Sequence, residues 1–247
     1  MAVLKVEDVS KSFDSEKIIE NISLELHEGE IVSLLGVSGG GKTTLFNIIA
    51  GLNLPDTGKV WLDGEEVTGK PGNVSYMLQK DLLLPYRTII DNVALPLIVK
   101  GIKKKEAREL AAPYFAEFGL EGIEKKYPAQ ISGGMKQRAA RLRTYLFSNK
   151  VALLDEPFSA LDMMMKQNMH EWYLSVMEKI QLSTIFITHD IDEAILLSDR
   201  IYLLTGKPGR ITKEIIIKEP KSRRKDFHLT EEFLQYKRDI LSHLVIV

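Results

Sequence analysis

The chain has 247 residues, 45% hydrophobic and 27% charged, a balance that suits a folded globular protein with one large domain or two lobes sharing a core. Lysine plus arginine (33) nearly equals aspartate plus glutamate (34), so net charge gives no reason to expect a nucleic acid partner. The absence of cysteine excludes disulfides and cysteine-held metal, and no uncharged apolar run reaches the roughly 20 residues of a spanning helix.

Charges in Met1-Ala2-Val3-Leu4-Lys5-Val6-Glu7-Asp8 fall where a signal peptide needs an apolar core. The expectation is a chain on the cytosolic side, with any membrane role exerted through a partner. The first 30 residues and Gly58 to Gly64 read as antiparallel strands, joined by turns such as Pro55-Asp56-Thr57-Gly58. Ile31-Val32-Ser33-Leu34-Leu35 reads as a buried strand entering a glycine loop, and Thr43 to Ala50 as a helix stopped by Gly51. Val74 to Leu78 is a further short strand. From Thr88 to Leu146 the pattern is helical, with loops near Gly101, Gly119 to Gly122 and Tyr127-Pro128. Lys103-Lys104-Lys105, followed by Glu106, Arg108 and Glu109, is the solvated face of one such helix. Val151 to Leu154, Thr184 to Ile187 and Ile211 to Ile217 complete the strands, and an amphipathic helix over Thr230 to Leu244 follows a charged stretch. Apolar strands alternating with helices predict an α/β fold around a mostly parallel sheet.

Gly36-Val37-Ser38-Gly39-Gly40-Gly41-Lys42-Thr43 fits the phosphate-binding loop pattern, with a strand before it and a helix after it. Glycines let the backbone N–H groups curl around phosphate oxygens at a helix N-terminus. Lys42 would reach the β- and γ-phosphates, and the Thr43 hydroxyl would ligate Mg²⁺. Val151 to Glu156 supplies the second half, a buried strand with carboxylates at its C-terminal end. There Asp155 would hold the metal through water and Glu156 would polarise the attacking water. An apolar strand ending in Asp-Glu is common by itself; its pairing with the phosphate loop gives it meaning. Ser132-Gly133-Gly134 opens another helix 23 residues before Asp155 and offers a second anion site, where a lone Ser-Gly-Gly would be only a cap.

This arrangement resembles the ATP-binding cassette (ABC) family of transport ATPases, over nearly the whole chain. The order is an A-loop-like aromatic (Phe13), the phosphate loop, the Q-loop Gln79, the signature Ile131 to Arg138, the Asp155-Glu156 strand, a D-loop (Ser159-Ala160-Leu161-Asp162) and a switch histidine, His189. Taken alone, Phe13 would be a core residue, Gln79 a surface amide and His189 a strand-end histidine; their order beside the other motifs changes that reading. The resemblance implies a P-loop NTPase (RecA-like) core with an N-terminal antiparallel β subdomain and an inserted α-helical subdomain. The expected core lobe is 1–84 with 147–217, the helical lobe 85–146, and 218–247 a C-terminal helical appendage.

It also implies a site. ATP would lie on Phe13, Gly36, Val37, Ser38, Gly39, Gly40, Gly41, Lys42, Thr43 and Thr44, with Mg²⁺ held by Thr43, Gln79 and Asp155. Glu156, His189 and Gln79 would carry hydrolysis. In this family two subunits sandwich ATP, so Ser132, Gly133, Gly134 and Met135 would act on the partner's nucleotide, with Asp162 at the shared interface. Expected partners are a second copy, integral-membrane permease subunits and, indirectly, a solute-binding protein. Leu83, Leu84, Tyr86 and Arg87, just after Gln79, are the expected permease contact, because Pro85 breaks the apolar run into a surface loop.

Departures are local. Ile131 replaces the usual Leu and Met135 the commoner Gln, while Arg141 and Tyr145 stand where relatives carry small or apolar residues, which bears on helix packing. Met163-Met164-Met165 is an unusual run, read as core or as a soft interface patch. Leu82 to Thr88, Asn92-Val93, Asp155 to Asp162 and Gly206-Lys207-Pro208-Gly209-Arg210-Ile211 look like the nitrate/sulfonate/taurine type of importer ATPase. Other importer classes and non-transport ABC ATPases remain as alternatives, although one cassette without heptads or cysteines does not suit translation or repair types. A GTPase is disfavoured by the absence of an Asn-Lys-X-Asp segment.

Overall fold

The computed structural model describes residues 2–147, 150–159, 163–220 and 226–244. Strands β1 (Ala2–Phe13) and β2 (Glu16–His27) alternate buried with exposed positions, as strands with one wet face do. They pair antiparallel from Ala2–His27 to Phe13–Glu16. β3 (Ile31–Leu35), apolar except for Ser33, is buried throughout. It runs into the glycine loop and α1 (Lys42–Ile49). β4 (Thr57–Leu62) returns to pair antiparallel with β1, and β5 (Glu65–Glu66) pairs with β4, closing a sheet of order β2-β1-β4-β5.

After β6 (Ser75–Met77) the chain turns helical, with α2 (Ile89–Val93), α3 (Leu95–Val99), α4 (Lys104–Ala111), α5 (Tyr114–Glu117) and α6 (Gly133–Phe147). Among the described residues no strand lies between Met77 and Val151. Thr88 caps α2 by accepting from the Asp91 amide, and Pro96 opens α3. Then come β7 (Val151–Asp155), α7 (Met163–Ile180), β8 (Ser183–Thr188), α8 (Ile191–Leu197), β9 (Arg200–Thr205), β10 (Arg210–Ile216) and α9 (Glu231–Leu244).

The second sheet has the order β10-β9-β3-β8-β7-β6, parallel except for β10. Both faces are covered, and the period of two along each strand decides which residue faces which layer. Val151 and Leu153 of β7, with Ile185 and Ile187 of β8, pack on α1 and the antiparallel sheet. Ala152, Leu154 and Phe186 face the other way, into a core completed by Phe115, Phe118, Leu142 and Tyr173 from the helices. Phe227, Phe233 and Ile240 pack with Leu35, Ile201 and Leu203, so α9 lies against the sheet and α8. This is the expected α/β fold. Sheet order places the loops after β3, β7 and β8 side by side at the C-terminal end of the parallel strands, where such sheets bind ligands.

Candidate functional site

The loop after β3 is built from backbone that only glycine adopts without strain. Gly41, the residue before α1, has φ +89°, and a Cβ there would lie 2.3 Å from Ile19 Cγ2. No side chain caps α1, so its first amides are left for an anion. Gly209, in the turn before β10, supports the loop from behind: a Cβ on it would meet the Gly40 carbonyl oxygen at 2.2 Å. Its amide donates to Ile18 and its carbonyl accepts from Glu20, which ties turn and hairpin to the loop.

Lys42 is buried and donates from Nζ to the carbonyls of Gly36 and Val37, both at 2.8 Å. Burial pushes its ammonium below the ordinary lysine range, against the opposing pull of Glu156 and Asp155. Burial pushes the Asp155 carboxyl up, and the neighbouring Glu156 adds to this, while Lys42 and the Thr43 hydroxyl oppose it. A carboxylate bonded to a hydroxyl beside open anion-binding amides fits Mg²⁺, which takes one or two protein oxygens and leaves other positions to phosphate and water. Among the described residues no cluster of three or more His, Cys, Asp or Glu could hold a metal ion.

Glu156 follows β7 with φ +45°, a conformation that costs a non-glycine residue about 1–3 kcal/mol. Its amide donates to the Ile187 carbonyl at 3.1 Å, and its carbonyl accepts from the Ser159 amide at 3.2 Å and hydroxyl at 3.0 Å. The side chain receives two further groups. Gln79 Nε2 donates to Oε2 at 2.9 Å, and His189 Nδ1 lies 3.3 Å from Oε1. Gln79, Glu156 and His189, far apart in the chain, meet at one carboxylate. Gln79 points its amide nitrogen at Glu156 and Ser159 (3.4 Å) rather than at Asp155. Behind His189, Asp190 caps α8 through the amides of Asp192 and Glu193, which fixes the end of β8.

Ser132 caps α6, its hydroxyl accepting from the Met135 amide at 3.3 Å, and Ser132, Gly133 and Met135 are exposed while Gly134 is buried. Among the described residues Ser132 bonds only within its own helix end, accepting from the amides of Met135 and Lys136, and makes no bond to the phosphate loop of the same chain. Phe13 is exposed at the end of β1 with Lys11 Nζ 5.4 Å from its ring centroid. Val37 is exposed at the loop rim, and Thr43 and Thr44 lie in the first turn of α1. Ala160, Leu161 and Asp162 lie outside the described residues, as do the side chains of Met163, Met164 and Met165.

The loop after Gln79 corrects one expectation. Leu83 is 8% exposed and belongs to the helical core, so it does not form part of a surface patch. The Asp81 side chain accepts from the Leu83 amide and turns the chain inward there. Leu84 (39%) and Tyr86 (94%) remain exposed, with Arg87 beside them and Leu82, at φ +45°, on the other side. The organiser is Asn92 on α2, which sequence reading passed over as part of a family marker. Its amide oxygen accepts from the Leu84 amide at 2.6 Å, and its nitrogen donates to the carbonyls of Leu84, Arg87 and Thr88. In the sequence, the only hint of that role is an amide side chain seven residues after Pro85, in the helix that follows.

The ABC transporter family matches the chain over residues 19–159. The formylaminopyrimidine import ATP-binding protein ThiZ of Halalkalibacterium halodurans is 43% identical over 248 residues, covering 98% of this chain and 96% of that one. The nitrate import ATP-binding protein NrtD of Synechocystis is 36% identical, covering 98% of this chain and 94% of its own. Among solved structures, a dimeric ATP-binding cassette in a post-hydrolysis state with ADP and Pi superposes with a TM-score of 0.73 at 29% identity, covering 88% of this chain and all of the other. No helix among the described residues is long and apolar enough to cross a membrane. With the phosphate loop, the buried lysine and the paired carboxylates already in place, the matches settle the family: the chain is an ATPase cassette of the ABC transporter family.

Proposed function

We propose that this cassette powers an importer of small solutes of the nitrate, sulfonate and taurine class, with Glu156 as the carboxylate that drives ATP hydrolysis. The observation that carries the assignment is the convergence of Gln79 and His189 on the Glu156 side chain, at 2.9 and 3.3 Å. In this reading the amides of residues 39–43 and Lys42 grip the phosphates. The bonds from Lys42 to Gly36 and Val37 are exchanged for phosphate oxygens when ATP enters. Thr43, Asp155 and Gln79 are the residues that would hold Mg²⁺. Mg²⁺ supplies charge neutralisation at the β- and γ-phosphates. Glu156 takes the proton of the water that attacks the γ-phosphorus as the bond to the ADP oxygen breaks, and His189 keeps the carboxylate aimed.

Phe13 would stack on the adenine. Ser132, Gly133, Gly134 and Met135 would close over the γ-phosphate held by a second copy, because this segment makes its bonds within its own helix end and leaves Ser132, Gly133 and Met135 exposed. Asp162 would meet the partner across that interface. Leu84, Tyr86 and Arg87, with Leu82, would receive a cytosolic segment of the permease, placing the subunit on the cytosolic face of the membrane. A solute-binding protein would deliver the solute to that permease. The importer class rests on the names of ThiZ and NrtD and on the motif set around Gly206–Ile211.

The test compares Mg·ATP turnover and nucleotide affinity in wild type and Glu156→Gln. Turnover is expected to fall ~10²–10⁴-fold, the worth of a general base, with ATP affinity kept. Equal rates would remove Glu156 from the role.

A further inference from the structure

We propose that Arg141 is a positioning residue for hydrolysis, holding the Glu156 turn in register with the helix that begins at Ser132. The proposal rests on the catalytic role of Glu156 and adds a residue that neither the motifs nor the family match assigns. Arg141 projects from α6 into the core and is 4% exposed. Its Nη2 donates to the Pro157 carbonyl at 2.7 Å and its Nη1 approaches Met169 Sδ at 3.0 Å, while Nε has no partner among the described residues. The guanidinium carbon lies 4.7 Å from the Phe158 ring centroid, 5.6 Å from Trp172 and 5.9 Å from Tyr173. Among the described residues no carboxylate forms an ion pair with it. Its one oxygen acceptor among the described residues is the carbonyl of Pro157, the residue that follows Glu156.

A buried cation lacking an anion is a costly way to fill this space, and an aliphatic side chain would pack there without that cost. What the cation adds is a directed bond. Glu156 is held in its left-handed conformation by Ile187 on one side and Ser159 on the other, and Pro157, without an N–H, offers only its carbonyl to an anchor. Arg141 takes that carbonyl from α6. Two residues further along the same helix, Arg143 donates to the carbonyls of Leu82 at 2.9 Å and Asp81 at 2.5 Å, just after Gln79. One helix thus grips two of the three segments whose side chains meet at the Glu156 carboxylate, those of Gln79 and Glu156. Any shift of α6 reaches Gln79 and Glu156 together.

The experiment measures melting temperature, ATP affinity and Mg·ATP turnover of the full-length chain for wild type, Arg141→Leu, Arg141→Lys and Glu156→Gln. Arg141→Leu is expected to melt at or above wild type, keep its ATP affinity and KM, and lose about 10- to 100-fold in kcat, as misplacement of a reacting group does. Arg141→Lys, which restores a donor without the planar stack, is expected to recover part of kcat. Wild-type kcat in Arg141→Leu overturns the proposal if Glu156→Gln is inactive; if Glu156→Gln is also fully active, it is the assignment of Glu156 that has failed. A fall in kcat matched by lost stability or lost ATP affinity makes Arg141 a packing residue and likewise overturns it. Should Arg141→Leu not fold, Arg141→Met is read in the same way, and failure of both to fold rejects the positioning role.

Discussion

Leu83 and Tyr86 lie three positions apart in one loop, and the structure gives them opposite fates. Leu83 is packed among Ile89, Ile90 and Val93, while Tyr86 stands almost wholly in solvent. Leu83→Ala is therefore expected to cost about 2–4 kcal/mol in a urea titration, the cost of truncating a buried leucine. Tyr86→Asp should stay within about 0.5 kcal/mol of wild type, yet lose co-purification with its permease. A large stability loss in Tyr86→Asp would reassign that residue to packing. The sequence marked this run as apolar and broken by Pro85, but which leucine turns inward depends on the Asp81 and Asn92 bonds, and no periodicity encodes those. Arg141 shows the same limit: its residue type suggested only a packing oddity, because the Pro157 carbonyl it bonds lies 16 residues away on another element.

At the scale of elements, the buried strands were legible because parallel strands covered on both faces read as unbroken apolar runs. Ile31–Leu35, Val151–Asp155 and Ser183–Thr188 come close to that pattern, with Val151 to Leu154 and Ile185 to Ile187 unbroken and Ser33 the one polar residue inside β3. Glu65–Glu66 was not legible, since two exposed or half-buried glutamates show no apolar alternation; they pair with β4 through backbone and through the Lys59–Glu66 ion pair at 2.8 Å. The helices between β6 and β7 depend on ties of another kind. Asp91 on α2 receives Arg108 Nε at 2.7 Å and Nη2 at 2.8 Å from α4, with Lys104 beside it. Those bonds hold its carboxyl at about 2, below the ordinary aspartate value, in spite of burial. A lowered folded-state pKa contributes stability that is complete above the unfolded value of about 4 and disappears as pH falls through the folded one. Asp91→Asn is thus expected to lower the urea midpoint near neutral pH, with the gap to wild type closing between about pH 4 and pH 2. A gap unchanged over that window would mean that the charge on Asp91 does not contribute.

For the whole molecule, the order of motifs foretold that Gln79, Glu156 and His189 belong to one site, yet not that all three meet at a single carboxylate. Gln79 and Glu156 are 77 residues apart and Glu156 and His189 33, distances that only the sheet order closes. Among the described residues the Ser132 hydroxyl bonds only within its own helix end, which is the reason to expect a second copy to use it. Mixing Lys42→Ala with Gly134→Asp should then yield heterodimers with one intact composite site, and turnover above that of either parent alone. No gain on mixing would argue that each chain hydrolyses ATP unaided. The most direct test of a shared site that Glu156 empties is the mass of Glu156→Gln in solution, by light scattering with saturating ATP and again with ADP. The account predicts a dimer with ATP and a monomer with ADP, because nucleotide that is bound but not cleaved keeps the two copies joined. A monomer with ATP at concentrations that saturate binding would contradict it.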